Sequence, residues 1–454
     1  MTTTSSAVAA RSSAADRGFV PAPGPTAAPR APAAAPGGLL TGNAPPPWLP
    51  AEHFAAALVF WLAGAAGLVW VAPDLAAGAF PVSRVVAVAH LFTLGWITTS
   101  IQGALYQFLP VALGVPIRSR RAAHAGFVLY VPGLALFVGG LAAGSHPARM
   151  AGAALFGTAL LLFIGNLAAT LRRAPERTLT WWALTGAASS LLATVALGIS
   201  LAGNLHWGYL GANRFAAVGV HLHVAVAGWV MMTVVGVAHR LLPMFLLSHG
   251  APERPAKVAL ALLAAGVAAL LALHHALTPT LKWTVAALLA GGLAAFLVQA
   301  ALFFRHRRKP ALDPGLRLAA VALSFLGLAL GLAPVFLARG VAAPRVATAY
   351  GIALVLGGLS LFVAGHYYKI LPFLVWFHRF GPLVGKQAVP RVAELYSART
   401  GEAALALLAA GTAGLAGATL AGAAWAARPA ALVFAAGAVV LALQMLTIVR
   451  TRPA

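Results

Sequence analysis

Apolar stretches long enough to cross a lipid bilayer recur along nearly the whole chain and constrain its fold more than any other feature. A helix that crosses the hydrocarbon needs roughly 20 apolar residues. Such stretches, bounded by short Arg, Pro or Gly clusters, lie near 52–72, 83–112, 121–144, 149–171, 178–203, 214–247, 256–276, 281–304, 315–338, 345–377, 400–424 and 428–449. Because 61% of the residues are hydrophobic and 9% are charged, we predict an all-α, polytopic membrane bundle of about twelve helices, called spans 1 to 12.

Basic residues are distributed unequally between the two ends of these spans. The two termini and the loops after even-numbered spans hold 22 Lys and Arg, whereas the other loops hold 7. By the positive-inside rule, both termini are predicted to be cytoplasmic in a bacterial-type inner membrane. The net charge of +23 then needs no nucleic-acid partner. Residues 1–46, rich in Ala, Pro, Ser and Thr, are predicted to be a disordered cytoplasmic tail, and 47–454 a transmembrane domain in contact with lipid.

Spans 2, 6 and 10 align without a gap on a shared Leu-Pro pair, which indicates an internal repeat. Glycines stand 15 and 7 residues before the proline in each, at Gly95 and Gly103, Gly228 and Gly236, and Gly357 and Gly365. The shared prolines are Pro110, Pro243 and Pro372. The period of about 130 residues covers four spans, so we predict three pseudo-equivalent four-helix arcs, at about 52–171 with 178–203, at 214–338 and at 345–449.

Histidines occupy one repeat position deep within the predicted spans. Twenty residues before the proline, at position −20, stand His90, His223 and Ile352. At about 1.5 Å per residue, both histidines lie roughly 30 Å from the Leu-Pro end, near the outer edge of the hydrocarbon. An intramembrane imidazole is costly unless it is paired or ligating. Haem ligation and a hydrogen bond to the backbone both satisfy that requirement. His221 diverges from His223 by about 200°, so the two cannot chelate one ion.

The motifs AHLFTLGW around His90 and VHLHVAVAGW around His221 and His223 resemble those of haem–copper oxidase subunit I and of NnrS-like haem–copper membrane proteins. The resemblance implies that His90 and His223 clamp a low-spin haem b and that His221 holds a second haem. It also implies an electron-donor protein or quinol as partner. Copper would need further histidines, and the pair His274 and His275 at the outer end of span 7 is the candidate, with an interfacial pair as the alternative.

The chain departs from the oxidases at two points. The His-x-His pair lies on span 6 rather than span 10, where Ile352 stands at that level. All eight acidic residues lie in the tail, loops or span ends, which disfavours a proton-pumping enzyme. Three functions stay open: a haem-binding protein concerned with nitric oxide, copper or respiratory electron transfer; a terminal oxidase or nitric oxide reductase; and a solute transporter.

A second polar set lies near the Leu-Pro ends. Four residues before the prolines stand Tyr106, His239 and Tyr368, followed by Gln107, Arg240 and Lys369. His366 stands six residues before Pro372, nearer the cytoplasmic end than His90, His221 and His223, and is a candidate ligand of a second site. The set could bind a haem propionate, a lipid headgroup or a quinone, or form an interfacial belt. Histidines near span ends, such as His53, are expected to face solvent.

Overall fold

The computed structural model describes residues 45–274 and 278–453, apart from the side chain of Val341. These residues contain twelve helices that are long and apolar enough to cross a membrane. Spans 1 to 12 are Trp48–Ala76, Ser83–Leu113, Arg120–Ala142, His146–Leu171, Leu179–Trp207, Gly211–Leu246, Arg254–Leu273, Pro279–Arg305, Pro314–Arg339, Pro344–Arg379, Ala398–Ala421 and Ala424–Arg450. The predicted all-α polytopic bundle is confirmed. The predicted tail lies outside the described residues, except for residues 45 and 46.

The repeated glycines let the second span of each four-span unit approach the first. A Cβ added at the glycine of position −15 or −7 would stand within 3.0 Å of an atom of the preceding span. The neighbours are Phe60 and His53 in span 1, Ser190 and Ala183 in span 5, and Phe325 and Gly315 in span 9. These contacts pair span 1 with 2, span 5 with 6, and span 9 with 10. We therefore number the arcs as spans 1–4, 5–8 and 9–12, whereas the sequence boundaries attached 178–203 to the first arc.

A buried amide side chain in the fourth span of each arc holds the start of the third span. Asn166 accepts from the Ser119 backbone N–H at 2.9 Å, and Gln299 accepts from that of Ala256 at 3.0 Å. Gln444 donates to the Ser397 carbonyl at 2.6 Å. The first two bonds satisfy backbone N–H groups at a helix start that lack an intrahelical partner, whereas the Ser397 carbonyl also accepts from the Gly401 N–H. The three arcs therefore share this detail as well.

Spans 2, 6 and 10 contact one another in a cyclic order at the centre of the bundle. The indole N–H of Trp229 donates to the Thr98 hydroxyl of arc 1 at 3.1 Å. The indole N–H of Trp96 donates to the Ser360 carbonyl of arc 3, also at 3.1 Å. Both tryptophans are at position −14, and both acceptors are at position −12. The same bond therefore runs from arc 2 to arc 1 and from arc 1 to arc 3, as a pseudo-threefold arrangement requires.

Each central span changes from α-helix to π-helix at matching positions. The π-helical segments are Leu91–Thr98, Val224–Met231 and Ile352–Ser360. π-Helical segments are rare in proteins, and those that exist often lie at functional sites. In the first segment, the Leu94 carbonyl accepts from the Thr99 backbone N–H and also from the hydroxyls of Thr99 and Tyr130, both at 3.0 Å. The residues just before these segments are the candidates for function.

Candidate functional site

The candidate site lies where spans 2 and 6 change from α-helix to π-helix. His90 and His223 are the last α-helical residues before the change. Both are half-buried, and each Nδ1 bonds a carbonyl one turn earlier, that of Val86 at 2.7 Å and that of Gly219 at 2.8 Å. Because a carbonyl only accepts, Nδ1 carries the proton and Nε2 carries the lone pair. This is the tautomer in which a histidine binds a metal through Nε2.

His223 is enclosed by aromatic rings from the third arc. The Tyr350 hydroxyl lies 3.3 Å from its Nε2 and donates to it. The Phe336 ring stacks on the His223 ring at 6.3 Å between centroids and on the Tyr350 ring at 5.1 Å. His223 therefore faces spans 9 and 10.

His221 lies on a different side of span 6, against span 5. Its Cε1 atom would stand 3.1 Å from a Cβ placed at Gly198. It interacts electrostatically with His90 and with the backbone of Thr194. Among the described residues its buried Nδ1 has no hydrogen-bond partner. The ring thus approaches His90 while retaining an unsatisfied nitrogen.

Tyr350 is the repeat counterpart of His221, a relation that the sequence analysis missed. Both stand at position −22, two residues before position −20. His221 of arc 2 interacts with His90 of arc 1, and Tyr350 of arc 3 bonds His223 of arc 2. Position −22 therefore bonds position −20 of the preceding arc in one case and lies within electrostatic range of it in the other. Reading the alignment two residues further toward the N-terminus would have found the tyrosine.

The structure thus associates His90 with His221 and His223 with Tyr350. Direct pairing of His90 with His223 around one haem stays a prediction. At position −20 of arc 3, Ile352 is buried at 6% exposure and offers no ligand. In residues 45–274 and 278–453, no group of three His, Asp or Glu side chains could hold one metal ion.

The predicted copper pair is only partly described. His274 lies at the end of span 7, where its Nδ1 is 2.8 Å from the Leu271 carbonyl oxygen. His275 lies outside the described residues. A role for this pair in copper binding stays a prediction.

The polar set near the Leu-Pro ends is distributed over three arcs. Tyr106 interacts with Asn166 of span 4, and the Tyr368 hydroxyl donates to Gln444 of span 12 at 2.7 Å. His239 instead lies 3.5 Å from Glu253, in the loop before span 7. Tyr106, Tyr368 and His239 therefore each have a partner within their own arc.

His366 and His53 are both held by backbone carbonyls within their own spans. The Nδ1 of His366 is 2.8 Å from the Phe362 carbonyl oxygen, and its ring lies beside the Phe362 and Phe245 rings. His53 was expected to face solvent, and that expectation is wrong. It is 1% exposed, bonds the Leu49 carbonyl and packs against Tyr106, because Gly103 lets span 2 cover it.

These features define an α-helical, multi-pass membrane protein of three arcs with half-buried imidazoles at two inter-arc contacts. Comparison with protein-family models gives no match to this chain, and comparison with curated proteins gives none either. Its function is therefore argued from its own residues.

Proposed function

We propose that this chain is a haem-binding protein of a bacterial-type inner membrane, concerned with nitric oxide, copper or respiratory electron transfer. The observation that carries the proposal is the pair of repeat-matched imidazoles, His90 and His223. In each, a backbone carbonyl accepts from Nδ1, so the lone pair of Nε2 is available to a ligand or a hydrogen-bond donor. Each also stands directly before a π-helical segment. An electron-donor protein or quinol is the proposed partner.

In this proposal His90 and His223 would hold the haem through their Nε2 atoms, and His221 lies toward a separate site. A bound haem b would supply a one-electron redox couple. The carbonyls of Val86 and Gly219 hold the two rings in the ligating tautomer. Ligation by His223 requires the Tyr350 hydroxyl to turn away from Nε2. The apolar residues of the π-helical segments limit access of water to the two rings.

The optical spectrum of protein purified from haem-replete cells tests this proposal. A Soret band with low-spin features is expected, and His90→Ala and His223→Ala should each abolish the low-spin signal. His221→Ala should leave it intact. His249→Ala, at an exposed loop position, is the matched control.

The pattern of losses identifies the ligands. Loss with His90→Ala and His221→Ala, but not with His223→Ala, would make His90 and His221 the ligand pair. Absence of a Soret band from the wild-type protein, or a full low-spin signal in His90→Ala, would refute haem ligation at this site.

A further inference from the structure

A polar cavity of about 430 Å³ opens at the Leu-Pro end of arc 2, between spans 5, 6 and 7. Its lining includes Arg177, Thr178, Trp182, Arg240 and Lys257. A second cavity of about 240 Å³ adjoins it and shares His239, Arg240 and Glu253 with it. We call the two together the arc 2 cavity.

In arc 3, the residue equivalent to Arg240 is paired with a carboxylate. Arg240 and Lys369 both stand at position −3. Lys369 forms an ion pair with Asp313, the residue that caps the start of span 9. The residue that caps span 5 is Thr178. Where arc 3 has a carboxylate, arc 2 therefore has a neutral hydroxyl.

The glycine contacts show that these two capping residues are equivalent. Gly236 approaches Thr180 in arc 2, and Gly365 approaches Gly315 in arc 3. Thr180 and Gly315 each stand two residues after the capping residue. Arc 2 thus keeps the cation of the arc 3 ion pair and lacks its anion.

Glu253, the acidic residue of the lining, is already engaged. Glu253 lies 3.9 Å from Lys257 and 3.5 Å from His239. Among the described residues, neither Arg240 nor Arg177 has a carboxylate within ion-pair distance, and the Arg177 guanidinium lies over the Trp181 ring at 4.7 Å. Two arginines at this cavity therefore remain without a counter-charge.

Two buried polar atoms of the lining also lack partners among the described residues. They are Nδ1 of His239, whose side chain is 8% exposed, and Oγ of Ser248. A buried donor or acceptor without a partner is costly, so a polar group that reached either atom would relieve part of that cost. The cavity thus combines uncompensated positive charge with unused hydrogen-bonding capacity.

We propose that the arc 2 cavity binds a phosphate group of the kind carried by anionic phospholipid headgroups. Guanidinium groups match phosphate oxygens in charge and in geometry. Trp182, which is 55% exposed, lies at the rim, and tryptophans of this kind are enriched at membrane interfaces. The phosphate would stand where arc 3 places the Asp313 carboxylate. Inorganic phosphate shares this chemistry and is the alternative source.

Native mass spectrometry of the full-length protein in non-ionic detergent tests the proposal with phosphatidylglycerol and phosphatidylcholine as probes. Phosphatidylglycerol should bind more tightly, and Arg240→Gln should weaken it by about tenfold or more. Thr178→Asp should do the same by placing a carboxylate at the arc 3 position, and Asp is itself favoured as a helix cap. Arg121→Gln, at an exposed position on the same face, is the matched control and should change nothing.

Inorganic phosphate added at increasing concentration separates the two sources. Displacement of phosphatidylglycerol would identify a soluble phosphate site, and retention of the lipid would identify a headgroup site. Equal binding of both lipids would overturn the proposal, as would equal weakening by Arg240→Gln and Arg121→Gln. If Arg240→Gln fails to fold, Thr178→Asp decides alone, because lipid binding unchanged in that variant contradicts the proposal.

Discussion

Replacing Gly365 by alanine tests the close approach of spans 9 and 10. A Cβ at this position would stand 2.6 Å from the Gly315 carbonyl oxygen and 3.0 Å from the Ala319 backbone nitrogen. Both neighbours are backbone atoms, so no side chain can rotate away to make room. The two helices would have to separate by the better part of an ångström to restore ordinary contact.

The expected cost follows from two opposing effects. Overpacking of a rigid contact costs about 1–3 kcal/mol, and a helical alanine recovers at most about 1 kcal/mol relative to glycine. Gly351 on the same span provides the matched control, because no atom lies within 4 Å of its added Cβ. Gly351→Ala should therefore be neutral or slightly stabilising. Because both variants gain the same helix propensity, Gly365→Ala should be less stable than Gly351→Ala by the overpacking cost alone, about 1–3 kcal/mol.

Unfolding in mixed micelles of increasing sodium dodecyl sulfate fraction, followed by circular dichroism, measures the difference. The two variants should be compared at the same protein and detergent concentrations. Equal stability of Gly365→Ala and Gly351→Ala would refute the close-packing role assigned to the −7 glycines.

Three other predictions concern contacts and topology. Trp229→Phe should lower the free energy of unfolding by about 1 kcal/mol because the hydrogen bond to span 2 is lost, and an unchanged value would contradict that role. Asp313→Asn should cost about 3 kcal/mol by leaving Lys369 unpaired. Burial raises the pKa of Asp313, but hydrogen bonds from Lys309 and Lys369 outweigh this effect and leave the pKa below its usual 3.8. The stabilisation by the ion pair should therefore be complete above about pH 4 and should be lost from the wild-type protein as the pH falls through the lowered pKa. The Asp313→Asn variant should show no such loss. A reporter fused after Arg452 should be active in the cytoplasm, and activity confined to the outer side would overturn the predicted topology.

Much of the fold could be predicted because its causes are local in sequence. Apolar length located the spans, and the spacing of Gly95 and Gly103 before Pro110, repeated twice, revealed the arcs. The glycine pattern could not show which neighbour each glycine contacts, so the arc boundaries came from the packing against spans 1, 5 and 9.

The site was less predictable because it depends on contacts between arcs. The sequence located His90 and His223 in register, but the π-helical segments after them have no residue signature that sets them apart. The pairing of Tyr350 with His223 joins two residues that are 127 positions apart in the sequence. His53 was misplaced for a related reason, since only the approach of span 2 makes a residue near a helix start a core residue.

The cyclic contact between positions −22 and −20 makes this single chain resemble a trimer whose subunits have been joined and allowed to diverge. In a symmetric trimer, each site lies at an interface and needs side chains from two subunits. Here His90 interacts electrostatically with His221 of arc 2, and His223 bonds Tyr350 of arc 3, so no arc expressed alone would carry a complete polar pair. At the third interface the equivalent residues are Val88 and Ile352. One of three matching junctions is therefore apolar, and the symmetry of the backbone is not shared by the chemistry that it supports.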